Sequence, residues 1–163
     1  MSEQKPVLDA CCGGRMCWFD KAHPLVLYVD IRTASKGHIS LRPNHEIAPD
    51  DVQDFRNLPY DNERFSLVLF DPPHMLKRNG SEGVLAKKYG SLDRSSWRDD
   101  LTGGFNECWR VLRPNGVLIF KWSSSEIALR EVLKCFPTSP LFGHTTGSKS
   151  STHWLCFFKE VEG

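Results

Sequence analysis

Two near-continuous apolar segments, residues 65–70 and 116–122, constrain the fold of this chain more than any other feature. Such runs are typical of parallel strands that are covered on both faces. Further strands are predicted at residues 7–10, 25–31, 51–55, 141–144 and 153–159. Apolar residues recur at helical spacing over residues 101–112, and a weaker helical stripe follows at residues 127–136. We therefore predict an α/β fold with a Rossmann-like, doubly wound, mostly parallel sheet of about seven strands, which ends in an antiparallel hairpin.

Length and composition favour one small intracellular domain. A chain of 163 residues has room for a single core, so we predict one domain over residues 1–163. Its 21 basic and 20 acidic residues create no general attraction to nucleic acid, so any such surface must be local. The opening residues lack an apolar signal region and no run approaches a membrane span, which predicts a cytoplasmic chain without a membrane partner.

The six cysteines include no Cys-x-x-Cys pair. Several of them fall within apolar segments, so we expect buried thiols in a reducing compartment and neither disulfides nor a metal site.

Carboxylates stand at or next to the carboxyl ends of the first four predicted strands, as Asp9, Asp30, Asp54 and Asp71. Ligands of doubly wound sheets bind at this edge. An aspartate in this position also commonly caps the following turn, and that structural alternative applies to each of the four.

The sequence Asp71-Pro72-Pro73-His74 directly follows the apolar run at residues 65–70. The two prolines stiffen the backbone and prevent a helix from starting there. The Asp71 carboxylate and the Pro72 carbonyl can then serve as two acceptors for the two N–H bonds of one amino group. His74 offers a flat ring on which a base could stack, or it is simply a polar turn residue.

This junction resembles the Asp-Pro-Pro-aromatic motif of class I S-adenosylmethionine-dependent methyltransferases that act on amino groups of adenine or cytosine in DNA. Together with the opening Asp9-Ala10-Cys11-Cys12-Gly13, it makes the chain resemble small phage and prophage-type members of that class. The resemblance implies S-adenosyl-L-methionine as cofactor. It also implies methyl transfer to an exocyclic amino nitrogen of a nucleobase in DNA, with adenine N6 favoured over cytosine N4.

The resemblance also implies site residues. Asp9 would bind the cofactor's ammonium group, and Asp30 would bind its ribose hydroxyls. Asp54 would bind the adenine amino group, and the Phe55 amide would contact the edge of the adenine ring. The full cofactor-binding set comprises Asp9, Cys11, Cys12, Gly13, Asp30, Ile31, Asp54 and Phe55. The catalytic set comprises Asp71, Pro72, Pro73 and His74, and no metal ligand is implied.

Three features depart from this class of enzyme. Its usual Gly-x-Gly is replaced by Cys12-Gly13-Gly14, preceded by Cys11. The connection at residues 12–23 is very short for a full crossover helix, and His74 stands where Tyr, Phe or Trp is common. A nicotinamide enzyme would need Gly-x-Gly-x-x-Gly after the first strand, which is absent here, although Asp30 would suit either cofactor.

A basic connection at residues 75–98 follows the motif. It contains six basic and two acidic residues, a local charge of +4. Long loops beside a site are often functional, so we predict a substrate loop that binds phosphate. The alternative is a solvated surface loop. The predicted substrate-binding residues are Lys77, Arg78, Lys87, Lys88, Tyr89 and, beyond the loop, Lys121. Lys149 in the final hairpin could extend this patch.

Other functions remain open at this point. The same fold could methylate RNA, a protein amide or a small molecule. The unusual first loop also leaves a non-catalytic cofactor-binding module as an alternative.

Overall fold

The computed structural model describes residues 4–80, 83–143 and 151–161 of the protein. Seven strands form one sheet in these residues: β1 (Val7–Asp9), β2 (Val26–Asp30), β3 (Asp51–Val52), β4 (Phe65–Phe70), β5 (Leu112–Ser123), β6 (Phe142–Gly143) and β7 (Thr152–Phe158). The described helices are α1 (Val84–Tyr89), α2 (Trp97–Val111) and α3 (Leu129–Leu133).

The strands are arranged in the order β3-β2-β1-β4-β5-β7-β6. The first five strands run parallel, and β7 is antiparallel to both β5 and β6. The predicted α/β class and the mostly parallel sheet with an antiparallel final hairpin are confirmed. The strand order changes direction beside β1, so the carboxyl ends of β1 and β4 form the edge where ligands of such sheets bind.

The main core lies on the face of the sheet that α2 and α3 cover. The buried side of α2 includes Leu101, Phe105 and Cys108, as the helical spacing predicts, and it packs against the central strands. Gly104 permits this approach, because a Cβ there would stand 2.4 Å from the ring of Phe55 and 2.7 Å from that of Phe70. Gly104 therefore allows the ring of Phe55 to lie directly against α2.

The opposite face is covered differently. The connections at residues 10–25 and 31–50 contain no helix. In the first, which the sequence predicts to be too short for one, Trp18 packs edge-on against Tyr28 with 5.6 Å between ring centroids. The second folds back on itself, because Ala34 and Ile47 exchange two backbone hydrogen bonds of 3.0 and 2.9 Å. We refer to residues 32–49 as the β2–β3 loop.

The prediction that residues 75–98 form one long loop is wrong. This segment contains α1 and the first residues of α2, and an isolated bridge joins Leu76 to Leu92. Good helix formers between Gly83 and Gly90 explain α1, and Gly90 ends it with a φ of 78°. α2 begins at Trp97, whose side chain is buried in the core.

Several predicted boundaries shift as well. β5 begins at Leu112, immediately after α2, rather than at residue 116, and its pairing with β4 is irregular between Phe65 and Leu67. α3 is shorter than the apolar stripe at residues 127–136 suggests. His144, predicted to end the sixth strand, and Lys149 lie outside the described residues. Among the helices that the structure describes, none has the length and apolar character to cross a membrane.

Candidate active site

Asp9 and Asp71 meet at the carboxyl edge of the two central strands. β1 pairs with β4 so that Asp9 lies opposite Leu69, and Asp71 follows two residues later. Both carboxylates line a cavity of about 270 Å³, which we call the central cavity. Predicted residues from separate segments join them there: Cys11, Cys12, Gly13, Pro72, His74, Lys88, Tyr89 and Lys121.

The carboxylate of Asp71 is held from one side. Its Oδ2 accepts a hydrogen bond of 3.0 Å from Lys121 Nζ and a longer one of 3.5 Å from Cys17 Sγ. Burial disfavours the ammonium charge, but Asp71 and Cys17 outweigh it, so the pKa of Lys121 lies above its usual value. Asp71 Oδ1 and the Pro72 carbonyl accept no hydrogen bond from the described residues. Two acceptors at this edge thus remain for a ligand.

Aromatic rings lie beside these acceptors. The rings of His74 and Tyr89 are 6.0 Å apart between centroids, and Trp122 stands edge-on to His74 at 6.2 Å. Burial lowers the pKa of His74, although Asp71 partly opposes this. His74 is therefore neutral at physiological pH and presents an uncharged flat surface within the central cavity.

Asp9 is an unusual carboxylate, because only 2% of it is exposed. Its Oδ2 accepts a 2.7 Å hydrogen bond from the Trp18 indole, and its Oδ1 accepts one of 3.3 Å from the Cys11 amide. Burial raises the pKa of Asp9 to about 7, with the bond from Trp18 acting against it and the charge of Asp71 adding to it. Asp9 therefore exchanges its proton near neutral pH.

Asp30 and Asp54 share a local arrangement with an arginine two residues later. In each Asp-x-Arg segment the backbone amide of the arginine donates a hydrogen bond of 2.9 Å to Oδ1 of the aspartate, and this bond closes a turn. The guanidinium groups of Arg32 and Arg56 also pair with these carboxylates, and Arg56 lowers the pKa of Asp54. Both aspartates thus act as turn caps, the structural alternative stated for them. The repeated Asp-x-Arg pattern was the available sequence signal.

Asp30 also binds the loop that follows β1, because its Oδ2 accepts a hydrogen bond of 2.9 Å from the Gly13 amide. Next to it, Arg32 borders three cavities: the central cavity, one of about 530 Å³ that includes Asp54 and Phe55, and one of about 40 Å³ that includes Asp30. Together these cavities contain all of the predicted cofactor-binding residues. The side chain of Arg32 is the element that they share.

The predicted substrate-binding residues do not all gather at the site. Lys88, Tyr89 and Lys121 line the central cavity. Lys77 lines the 530 Å³ cavity instead, and Arg78 pairs with Glu126 at 3.0 Å. Lys87 is exposed on α1 and lines none of these cavities.

Seven residues that line the central cavity were not among the predicted site residues: Gly14, Met16, Cys17, Arg32, His45, Ser123 and Thr152. Arg32 and His45 belong to the β2–β3 loop, and the available sequence signal was its length, since long connections without regular structure are often functional. All six cysteines are free thiols. Across the part of the chain that the structure describes, no three His, Cys, Asp or Glu side chains gather as metal ligands would.

No protein-family model matches this chain, and no curated protein matches it significantly. Solved structures do match it over nearly its whole length. A protein from Pyrococcus horikoshii is 17% identical, with 98% of this chain and 84% of that chain covered and a TM-score of 0.53. An S-adenosylmethionine-dependent methyltransferase from Methanosarcina mazei is 12% identical, with 99% and 96% covered and a TM-score of 0.55. The chain therefore has the Rossmann-like, seven-stranded fold that this methyltransferase also has.

Proposed function

We propose that this chain is an S-adenosylmethionine-dependent methyltransferase that acts on an exocyclic amino nitrogen of a nucleobase in DNA, with adenine N6 favoured over cytosine N4. The observation that carries the proposal is the geometry of Asp71. Lys121 holds its Oδ2, while Oδ1 and the adjacent Pro72 carbonyl have no partner among the described residues. The fold shared with a methyltransferase supports the proposal.

The residues of the three cavities suit the cofactor. The buried carboxylate of Asp9 has no cationic partner among its hydrogen bonds, so it matches the ammonium group of the methionine part. Asp30 would hold the ribose hydroxyls, and Asp54 with Phe55 the adenine ring. Because Arg32 contacts both oxygens of Asp30, it must turn aside for the hydroxyls to bind. When bound, S-adenosylmethionine supplies a methyl group that is already activated by its sulfonium charge.

The chain's contribution to the reaction is to orient the amine. An aromatic amine is a poor nucleophile because its lone pair is delocalised into the ring. Two acceptors outside the ring plane turn the N–H bonds and direct the lone pair toward the electrophile. Asp71 Oδ1 and the Pro72 carbonyl are these acceptors, and each oriented hydrogen bond contributes about 2–4 kcal/mol at the transition state. Positioning supplies the rest of the acceleration.

Lys121 and the aromatic rings support this arrangement. By holding Oδ2 at 3.0 Å, Lys121 fixes the direction in which Oδ1 points. His74 and Tyr89 offer flat surfaces beside the acceptors. Aromatic rings of this kind stack on bases that are flipped out of a nucleic-acid duplex. The substrate of this site is therefore a planar amine rather than an alkyl amine.

The test is methyl transfer from tritium-labelled S-adenosylmethionine to DNA, RNA and protein, followed by nucleoside analysis of labelled DNA. We expect label in DNA as N6-methyladenine, and almost none with Asp71→Ala. Label in RNA or protein alone would keep the methyltransferase but overturn the DNA acceptor. No transfer to any acceptor, with tight cofactor binding, would favour a non-catalytic module.

A further inference from the structure

A second, larger cavity adjoins the central cavity. Its volume is about 630 Å³, and we call it the basic cavity because its charged lining residues are Arg15, Lys21, Arg42 and Lys88 against the single acid Glu46. No sequence motif pointed to it. Half of its wall comes from the β2–β3 loop, which contributes residues 41–46 and 48.

One of the four cationic side chains, Arg15, already has partners within the protein. Arg15 donates to the carbonyls of Lys21 and Ala48 at 2.6 Å and pairs with Asp50 at 3.1 Å. Its guanidinium also lies 3.8 Å from the centre of the Tyr28 ring. Arg15 therefore holds the first loop in place and is not available to a ligand.

The other three cationic side chains differ from Arg15, because they lack an ion-pair partner among the described residues. Lys21, Arg42 and Lys88 form no ion pair with the described residues. Lys21 Nζ meets only the Met16 sulfur at 3.7 Å, and Lys88 Nζ lies 4.8 Å from the Tyr89 ring centre. Three free positive charges around one concave surface, with one acid beside them, attract an anion.

His45 joins the two cavities. Its ring borders both, and both of its ring nitrogens are buried without a hydrogen-bond partner in the described chain. A Cβ on Gly14 would stand 2.8 Å from His45 Nε2, so this glycine allows the close approach. Burial, aided by His38 and nearby cations, lowers the pKa of His45, which leaves a neutral ring with one donor and one acceptor. Buried polar atoms without partners are rare, and a bound ion or water is one of the explanations for them.

We propose that the basic cavity binds a backbone phosphate of the polynucleotide whose target base enters the central cavity. The two cavities share the wall formed by Gly13, Gly14, Met16, His45 and Lys88. A chain of nucleotides that places its base beside Asp71 can therefore place a flanking phosphate among Lys21, Arg42 and Lys88. A neutral protein amide or small amine has no group for these charges. The inference rests on the proposed function for the identity of the base.

The test is binding of a fluorescein-labelled single-stranded DNA oligonucleotide to the full chain, followed by anisotropy over a series of NaCl concentrations. The variant is Lys21→Gln with Arg42→Gln. Each neutralised phosphate contributes about 0.7 to the slope of log K against log[salt] for single strands, so losing the one phosphate of the basic cavity should lower the slope by about 0.7. Cofactor affinity, measured by calorimetry, should stay that of the native protein.

The matched control is Arg113→Gln with Lys134→Gln, which also removes one arginine and one lysine. Arg113 is exposed at the amino-terminal part of β5, Lys134 is exposed after α3, and neither lines a described cavity. We expect this control to keep the native slope. Equal slopes in the native protein and both variants, or no oligonucleotide binding by the native protein, would overturn the inference.

The outcomes separate this inference from the proposed function. If the native protein methylates DNA while Lys21→Gln/Arg42→Gln keeps the native slope, the basic cavity is not the phosphate site and the function stands. If the slope falls as expected but labelled methyl reaches only RNA, the phosphate site stands and the DNA acceptor of the proposed function is wrong.

Discussion

The raised pKa of Asp9 predicts that cofactor binding releases protons. At a pKa of about 7, compared with 3.8 for an ordinary aspartate, this buried carboxyl is half protonated at neutral pH. A cofactor ammonium group placed beside it favours the ionised form, so binding must expel the proton. The affinity for S-adenosylmethionine should therefore rise with pH up to about 7.

The magnitude follows from these values. At pH 6 about nine-tenths of the molecules carry the proton, and a return of the Asp9 pKa toward 3.8 on binding would release about 0.9 proton. Over the pH range below 7 the affinity should then rise about tenfold per pH unit. An α-amino group with the chain-terminal pKa of about 7.7–8.0 is already charged at pH 6, so the cofactor's ammonium group takes up no proton on binding.

Calorimetry at pH 6 in buffers of different ionisation enthalpy measures this number directly, as the slope of the observed binding enthalpy against buffer enthalpy. Asp9→Asn serves as the comparison, because it keeps the shape but has no proton to lose. Native binding enthalpies that are the same in every buffer would refute the reasoning, as would proton release that persists in Asp9→Asn.

The same shift affects stability. Because the folded state holds the Asp9 proton more tightly than the unfolded state, the free energy of unfolding should fall as pH rises from 3.8 to about 7. The 3.2-unit difference corresponds to at most about 4 kcal/mol, and Asp9→Asn should remove it from urea unfolding curves.

Three further substitutions test other parts of the account. Asp30→Ala should weaken S-adenosylmethionine binding by about 1.5–3 kcal/mol in calorimetry, the range for hydrogen bonds to a charged group, and unchanged affinity in a folded variant would defeat the ribose assignment. Lys121→Met should slow methyl transfer about tenfold or more while cofactor affinity holds, since Asp71 loses the group that directs it; a native rate would show that Lys121 has no positioning role. Gly104→Ala should cost about 1–3 kcal/mol in urea unfolding, because its Cβ would meet the Phe55 ring, and native stability would show that this ring moves aside freely.

The sequence was most informative where a repeating physical pattern exists. The apolar runs at residues 65–70 and 116–122 predicted the central strands, since buried parallel strands need apolar residues on both faces. Asp9 and Asp71 could be placed together because the carboxyl ends of neighbouring parallel strands meet at one edge. Neither inference required the path of any loop.

Loop-dependent features could not be predicted in the same way. The approach of His45 to Gly14 depends on how the β2–β3 loop folds back through Ala34 and Ile47, and this connection has no periodic pattern. The pairing of Arg32 with Asp30 involves residues close in sequence, but a long arginine side chain can turn in several directions. α1 was missed because six helix-forming residues between glycines are too few for a periodic signal.

The central claim is that Asp71 orients the amine during methyl transfer. A single-turnover assay with saturating S-adenosylmethionine and a DNA acceptor tests it most directly, because it separates chemistry from product release. We predict that Asp71→Ala loses about 3 kcal/mol of transition-state stabilisation, at least about a hundredfold in rate. Asp71→Asn, which keeps one acceptor and the shape, should retain partial activity, and both variants should bind the cofactor. A native rate in Asp71→Ala would mean that Asp71-Pro72-Pro73-His74 is only a turn, and would contradict the proposed function.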